Sequence, residues 1–125
     1  MTILLDAGAL IAIEGRDRDV MSVVRAAKAR SEPIQTLGPI VAQVWRSPAR
    51  QATLVTFLRS VNVLPFDDRL ARRVGTLLAD SSTKDVVDAG LVAIGRPGDR
   101  IVTSDPDDLR LLIEVSGQHL SIIRC

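Results

Sequence analysis

Asp6, Asp88 and Asp105 are the residues whose settings invite chemistry. Asp6 follows Ile3-Leu4-Leu5, a run suited to a buried strand, and precedes Ala7-Gly8, small residues that can open a helix. In an open parallel α/β sheet, ligands bind at the carboxyl ends of strands, so a carboxylate there is a candidate for chemistry. An aspartate at that place is equally a good helix N-cap. Asp88 lies within Val86-Val87-Asp88-Ala89-Gly90-Leu91-Val92-Ala93-Ile94, a helical segment with little other polar surface. Burying an unpaired carboxylate is costly, so it needs a cation or several donors. A partner arginine or a backbone donor would serve; a site role is favoured because the segment otherwise reads as core. Asp105 closes the strand-like Arg100-Ile101-Val102-Thr103. It also makes a good helix start, with Asp105 as N-cap, Pro106 at N1 and Asp108 at N3.

Asp6 and Asp105 would share one edge of a parallel sheet, and Asp88 would converge on them. Like charges that close raise each other's pKa unless a cation neutralises them, and none of these motifs carries an evident basic partner. Ligation by oxygen alone, without nearby histidine or cysteine, points to Mg²⁺ or Mn²⁺. Such ions activate water and stabilise the leaving oxygen in phosphodiester cleavage. Asp85 stands one helical turn before Asp88, but Ser82-Thr83-Lys84-Asp85 fits a capping box with Asp85 as its N3 acid, which leaves it at most a supporting acid. Other chemistries fit less well. There is no glycine-rich phosphate loop, His119 is the only histidine, and Asp6-Ala7-Gly8 lacks the second aspartate of phosphoaspartate phosphatases.

The elements that must position these acids follow from periodicity and punctuation. After the first strand come a short helix over Ala9 to Glu14 and a longer one from Asp17 to about Arg30, with Val20, Val24 and Ala27 on one face. Pro33 to Leu37 is a second strand, and Pro39 to Arg46 a short helix. Ser47-Pro48 restarts a helix running to about Ser60, and Val61 to Leu64 is a third strand. Asp67 caps a helix with Leu70, Val74, Leu77 and Leu78 inward. A helix over Asp85 to Gly95, the strand Arg100 to Thr103, a helix from Pro106 to Val115 and the strand Leu120 to Ile123 complete the chain. Strands alternating with helices imply a parallel sheet covered on both faces, one α/β/α domain over residues 1–125.

Composition narrows the classes. Hydrophobic residues make up 46% of the 125, and net charge is only +1, which argues against a bulk polyanion binder. No apolar run spans a bilayer, and the N-terminus lacks the pattern of a secretory signal. The single cysteine, Cys125, fits a reducing cytoplasm and excludes a cysteine-based metal site. Aromatics are too few for base-stacking platforms of the RRM or OB kind.

Taken together, these residues resemble the PIN domain, in particular the small toxin ribonucleases of VapBC toxin–antitoxin modules. The resemblance rests on Leu4-Leu5-Asp6-Ala7-Gly8-Ala9-Leu10, Asp85-Val86-Val87-Asp88-Ala89 and Val102-Thr103-Ser104-Asp105-Pro106-Asp107-Asp108-Leu109, and it covers essentially the whole chain. It implies a three-layer α/β/α fold with a five-stranded parallel sheet and a divalent metal held by a cup of acids. Asp6, Asp88 and Asp105 match the family's catalytic, metal-holding aspartates. Thr103 matches a hydroxyl position that helps arrange the cup, and Asp107 or Asp108 would add an outer acid. One position departs: Gln43 stands where the family usually carries a second acid, which keeps a carbonyl but loses a charge.

The resemblance therefore implies a Mg²⁺- or Mn²⁺-dependent endoribonuclease, cytoplasmic, with RNA as substrate, a small cognate antitoxin as partner and homodimerisation. An acidic cup needs a cationic rim to admit RNA; Arg46, Arg16 and Arg18 are the candidates, though all three can equally be ordinary solvated side chains. The rival is a degenerate PIN fold that binds RNA or a protein partner without cutting, motivated by Gln43. A receiver-like phosphoacceptor domain fits less well, because Lys84 follows no strand.

Overall fold

A computed structural model describes all residues, 1–125. Five strands form one sheet: β1 (Ile3–Leu5), β2 (Ile34–Leu37), β3 (Asn62–Leu64), β4 (Arg100–Thr103) and β5 (Ser121–Arg124). Seven helices connect them: α1 (Ala7–Glu14), α2 (Arg18–Ala29), α3 (Gly38–Val44), α4 (Ala52–Leu58), α5 (Asp68–Ser81), α6 (Val86–Ile94) and α7 (Pro106–Ser116). The sheet order is β3-β2-β1-β4-β5, and every neighbouring pair is parallel. From β1 the chain steps outward to β2 and β3, then returns to the other side of β1 for β4 and β5. Right-handed crossovers therefore put α1–α4 over one face and α5–α7 over the other. The packing agrees: α1 touches α2, α3 and α4, while α5, α6 and α7 pack on one another.

The core is continuous across these layers. Ile3, Leu4 and Leu5 of β1 and Ile101 and Val102 of β4 have no exposed surface, which explains why the central strands read as unbroken apolar runs. In α6, Ala89, Leu91 and Val92 are fully buried and Gly90 is buried with them. A Cβ on Gly90 would stand 2.8 Å from the Phe66 ring and 3.0 Å from Leu37. Glycine there lets α6 lie close against the end of β2.

Two expectations are corrected. Ser47-Pro48 does not restart a helix; residues 48–50 form a turn, and α4 begins at Ala52. Gln51, 7% exposed, holds the break. Its side-chain oxygen accepts from the N–H groups of Arg46 and Ser47 at 2.7 and 3.0 Å, and its Nε2 donates to the Val44 carbonyl at 2.8 Å. Three backbone groups freed by the interruption are thereby satisfied, as buried polar groups must be. The capping box at Ser82 is also absent. Ser82 takes a left-handed φ of 55° as the C-cap of α5, a conformation that ends one helix without starting the next. Asp85 is itself the N-cap of α6, accepting the Asp88 N–H at 2.9 Å.

Candidate functional site

The sheet reverses its order beside β1, between β1 and β4, and such a switch point opens a crevice at the carboxyl ends of the strands. Asp6 lies there, 7% exposed. Its backbone N–H donates to Val102 O of β4 at 3.2 Å, and its carboxylate accepts the Ala9 N–H at 2.8 Å as the N-cap of α1. The cap and the place at the strand end are thus properties of one side chain. Burial pushes the Asp6 carboxyl above its ordinary value, while the hydroxyl of Thr103 and the N–H groups of Ala9 and Gly8 pull it back.

Thr103, fully buried at the end of β4, links Asp6 to the next turn. Its Oγ1 also accepts the Asp105 N–H at 2.8 Å. The β4–α7 turn approaches α1 closely: a Cβ on Gly8 would fall 2.0 Å from Ser104 Oγ and 2.8 Å from Ser104 Cβ. Only a residue without a side chain lets these two segments meet.

Asp88 is half-buried in the first turn of α6. Its carboxyl is pushed up to about 7, first by burial and then by the negative charges of Asp85, Asp6 and Asp108. Asp108, on the exposed first turn of α7, is also raised, chiefly by a hydrogen bond with the Asp105 carboxyl. These groups form a chain of carboxyls, from Asp6 to Asp88, then through Asp85 and Asp108 to Asp105. The Asp105 side chain makes no capping hydrogen bond to α7. Helix capping therefore leaves that carboxylate unexplained. A cleft of about 280 Å³ is lined by Asp85, Asp88, Asp107 and Asp108 with Thr83 and Lys84.

No cation pairs with the central acids. The four ion pairs in the molecule join Arg30 and Arg100 to Glu32, Arg72 to Asp68, and Arg110 to Asp107. Lys84 borders the cleft without pairing with its acids. By contrast Asp99, 5% exposed, accepts the Thr2 and Arg96 N–H groups at 2.9 Å each. One backbone donor on each oxygen partners that buried acid and joins the entries of β1 and β4. The donor chemistry of the central cluster, oxygen only with excess negative charge, fits a hard divalent cation. As they stand, no three of these side chains converge closely enough to hold one.

None of the other expected residues lines the acidic cleft. Gln43 is exposed on α3 and makes no side-chain hydrogen bond. Arg46 donates to the Ala42 and Trp45 carbonyls at 3.2 and 2.6 Å, closing the end of α3. Arg18 opens α2 in solvent. Arg16, also exposed, reaches Thr53 Oγ1 at 3.4 Å and borders a groove of about 550 Å³ with Ile13, Met21, Lys28, Phe57 and Arg59. Sequence reasoning did not place Cys125 beside Thr103. Its N–H donates to Thr103 O at 2.8 Å, and its thiol is pushed up by burial and by the charges of Asp6 and Asp17. The pairing of the last strand beside β4 was the available signal, since it carries the end of the chain to the same edge. No helix is long and apolar enough to cross a membrane.

No protein-family model and no curated protein matches the sequence. Solved structures do. A chain of VapBC2 from Rickettsia felis, crystallised bound to a DNA fragment from its promoter, superposes with a TM-score of 0.74 at 14% identity, covering 98% of this chain and 99% of that one. A chain of DNA-bound VapBC from Salmonella typhimurium gives a TM-score of 0.68 at 18% identity, with 98% of both chains covered. At such identities the likeness is one of fold: this chain has the PIN-like α/β fold of these VapBC chains.

Proposed function

We propose that this chain is a divalent-metal-dependent endoribonuclease that acts as the toxin of a toxin–antitoxin pair. The observation that carries the proposal is Asp88, a half-buried carboxyl pushed up to about 7 by burial and by Asp85, Asp6 and Asp108, with no cation paired to any of them. Helix capping accounts for Asp6 and Asp85 but not for a carboxyl at Asp88 under the charges of Asp85, Asp6 and Asp108. Perturbed carboxyls grouped in a cleft are a mark of functional sites.

In this reading Asp6, Asp88 and Asp105 hold Mg²⁺ or Mn²⁺, with Asp85, Asp107 and Asp108 as surrounding acids and Gln43 as a supporting carbonyl. When bound, the ion supplies neutralising charge and an activated water for phosphodiester hydrolysis. The chain's own residues set the stage. Thr103 and the Ala9 N–H orient the Asp6 carboxylate, and a bound cation would favour the charged form of Asp88. Arg16, Arg18 and Arg46, all free of ion pairs, would contact RNA phosphates. Protein partners would be a small cognate antitoxin and a second copy of this chain, in the cytoplasm.

Purified protein should cleave RNA when Mg²⁺ or Mn²⁺ is added, and Asp6→Ala or Asp88→Asn should abolish cleavage. Cleavage that persists unchanged in both variants would reject this site. Exposed Gln43 and the absence of three converged acids favour a second reading, a degenerate domain that binds RNA or protein without cutting. If the parent is inactive with both metals and Gln43→Glu cuts, that second reading holds.

A further inference from the structure

We propose that Thr36, a residue outside the acid cluster, is a positioning residue for Asp6; the inference rests on the reading of Asp6 as a metal-holding carboxylate. Asp6 hangs from the peptide unit that joins it to Leu5. The N–H of that unit donates to Val102 O of β4 at 3.2 Å, and its carbonyl accepts from the Thr36 hydroxyl of β2 at 2.8 Å. One peptide plane is thus gripped from the strands on both sides. The register shows why a side chain is used on one side. Between β1 and β4 the pairing continues to Leu5↔Val102, whereas between β1 and β2 it stops one residue earlier, at Leu4↔Gln35. The hydroxyl of Thr36 carries the link across at the point where the strands stop matching.

Both ends of this bond are sealed, since Leu5 and Thr36 have no exposed surface. Water cannot replace the hydroxyl, so its loss leaves the Leu5 carbonyl unsatisfied. The β-branched side chain also restricts χ1, which fixes where the hydroxyl points. An apolar β-branched residue would suit a buried strand equally well. The hydroxyl is what the position adds, and it acts on the peptide that bears Asp6. The carboxylate itself is then fixed by Ala9 and Thr103, so backbone and side chain are oriented by separate contacts. A site carboxylate depends on such support, because small misplacements of a ligand group are costly.

The test is Mn²⁺ affinity, read from water-proton relaxation on the full chain, beside urea denaturation. Thr36→Val should bind Mn²⁺ about tenfold more weakly, within the range for loss of an outer hydrogen bond at a metal site. Thr36→Ser should stay within about twofold of the parent, because it keeps the donor. Val24→Ala, a core truncation in α2, controls for lost stability and should leave affinity unchanged. If Thr36→Val does not fold, Thr36→Cys, similar in size with a weaker donor, takes its place with the same expectation. Affinity equal to the parent in the hydroxyl-less variant, or an equal loss in Val24→Ala, overturns the positioning role. A parent that binds no Mn²⁺ overturns the metal reading of Asp6 and this inference with it.

Discussion

Asp85 holds the backbone of Asp88 while repelling its side chain. The Asp88 N–H donates to the Asp85 carboxylate at 2.9 Å, and the same carboxylate is the leading charge that raises the Asp88 carboxyl. One residue therefore starts α6 and loads the acid it positions.

These two effects separate by substitution. Asp85→Asn keeps a capping oxygen and removes the charge, so stability should change little while the Asp88 carboxyl titrates below about 7. Asp85→Ala removes both and should cost about 1 kcal/mol, the usual value of a lost N-cap. Carboxyl ¹³C titration by NMR and urea denaturation measure the two quantities independently.

The raised Asp88 carboxyl also sets a pH dependence. Unfolded, it titrates near 3.8, and folded near 7. Below the lower value it is protonated in both states and costs nothing. Between the two, only the unfolded chain releases the proton, so metal-free stability should fall as pH rises through this window. Asp88→Asn should remove that slope and be more stable than the parent at pH 8, by about 1–2 kcal/mol after screening of a half-exposed group. Saturating Mn²⁺ should reverse the order. Denaturation with and without EDTA across this pH range is the measurement.

Gly8 and Ser104 should behave as a coupled pair. Gly8→Ala places a methyl 2.0 Å from Ser104 Oγ, and should cost about 1–3 kcal/mol through displacement of the turn. Ser104→Gly removes both atoms that clash, so the double variant should recover most of that loss. A double-mutant cycle with no coupling energy would show that the two segments separate freely.

Much of this architecture was legible in residue order. The strands were placed to within a residue because unbroken apolar runs between turns leave few alternatives, and β4 runs over Arg100–Thr103 as its composition suggests. Asp6 was visible because it follows such a run. What escaped depended on tertiary pairing. Gln51 looks like one more polar residue of an amphipathic helix, yet it is buried to close a gap in one. Asp85 was misassigned by three positions of a cap, because nothing local marks Ser82 as left-handed. Asp105 occupies the N-cap position its sequence suggests, yet its side chain makes no cap bond. The work of Thr36 depends on where pairing between β1 and β2 stops, which no single strand encodes.

The reversal of strand order at β1 also governs when the acid cluster can exist. Asp6 leaves the ribosome well before the groups that gather near it, which arrive with α6 and α7. The β1, β2 and β3 strands, adjacent in order, can pair while the chain is still being made, since each needs only what precedes it. Their sheet then waits with one flank of β1 open until β4 arrives to fill it. A chain interrupted before α6 carries Asp6 without Asp88 and Asp108, the carboxyls that would crowd its charge.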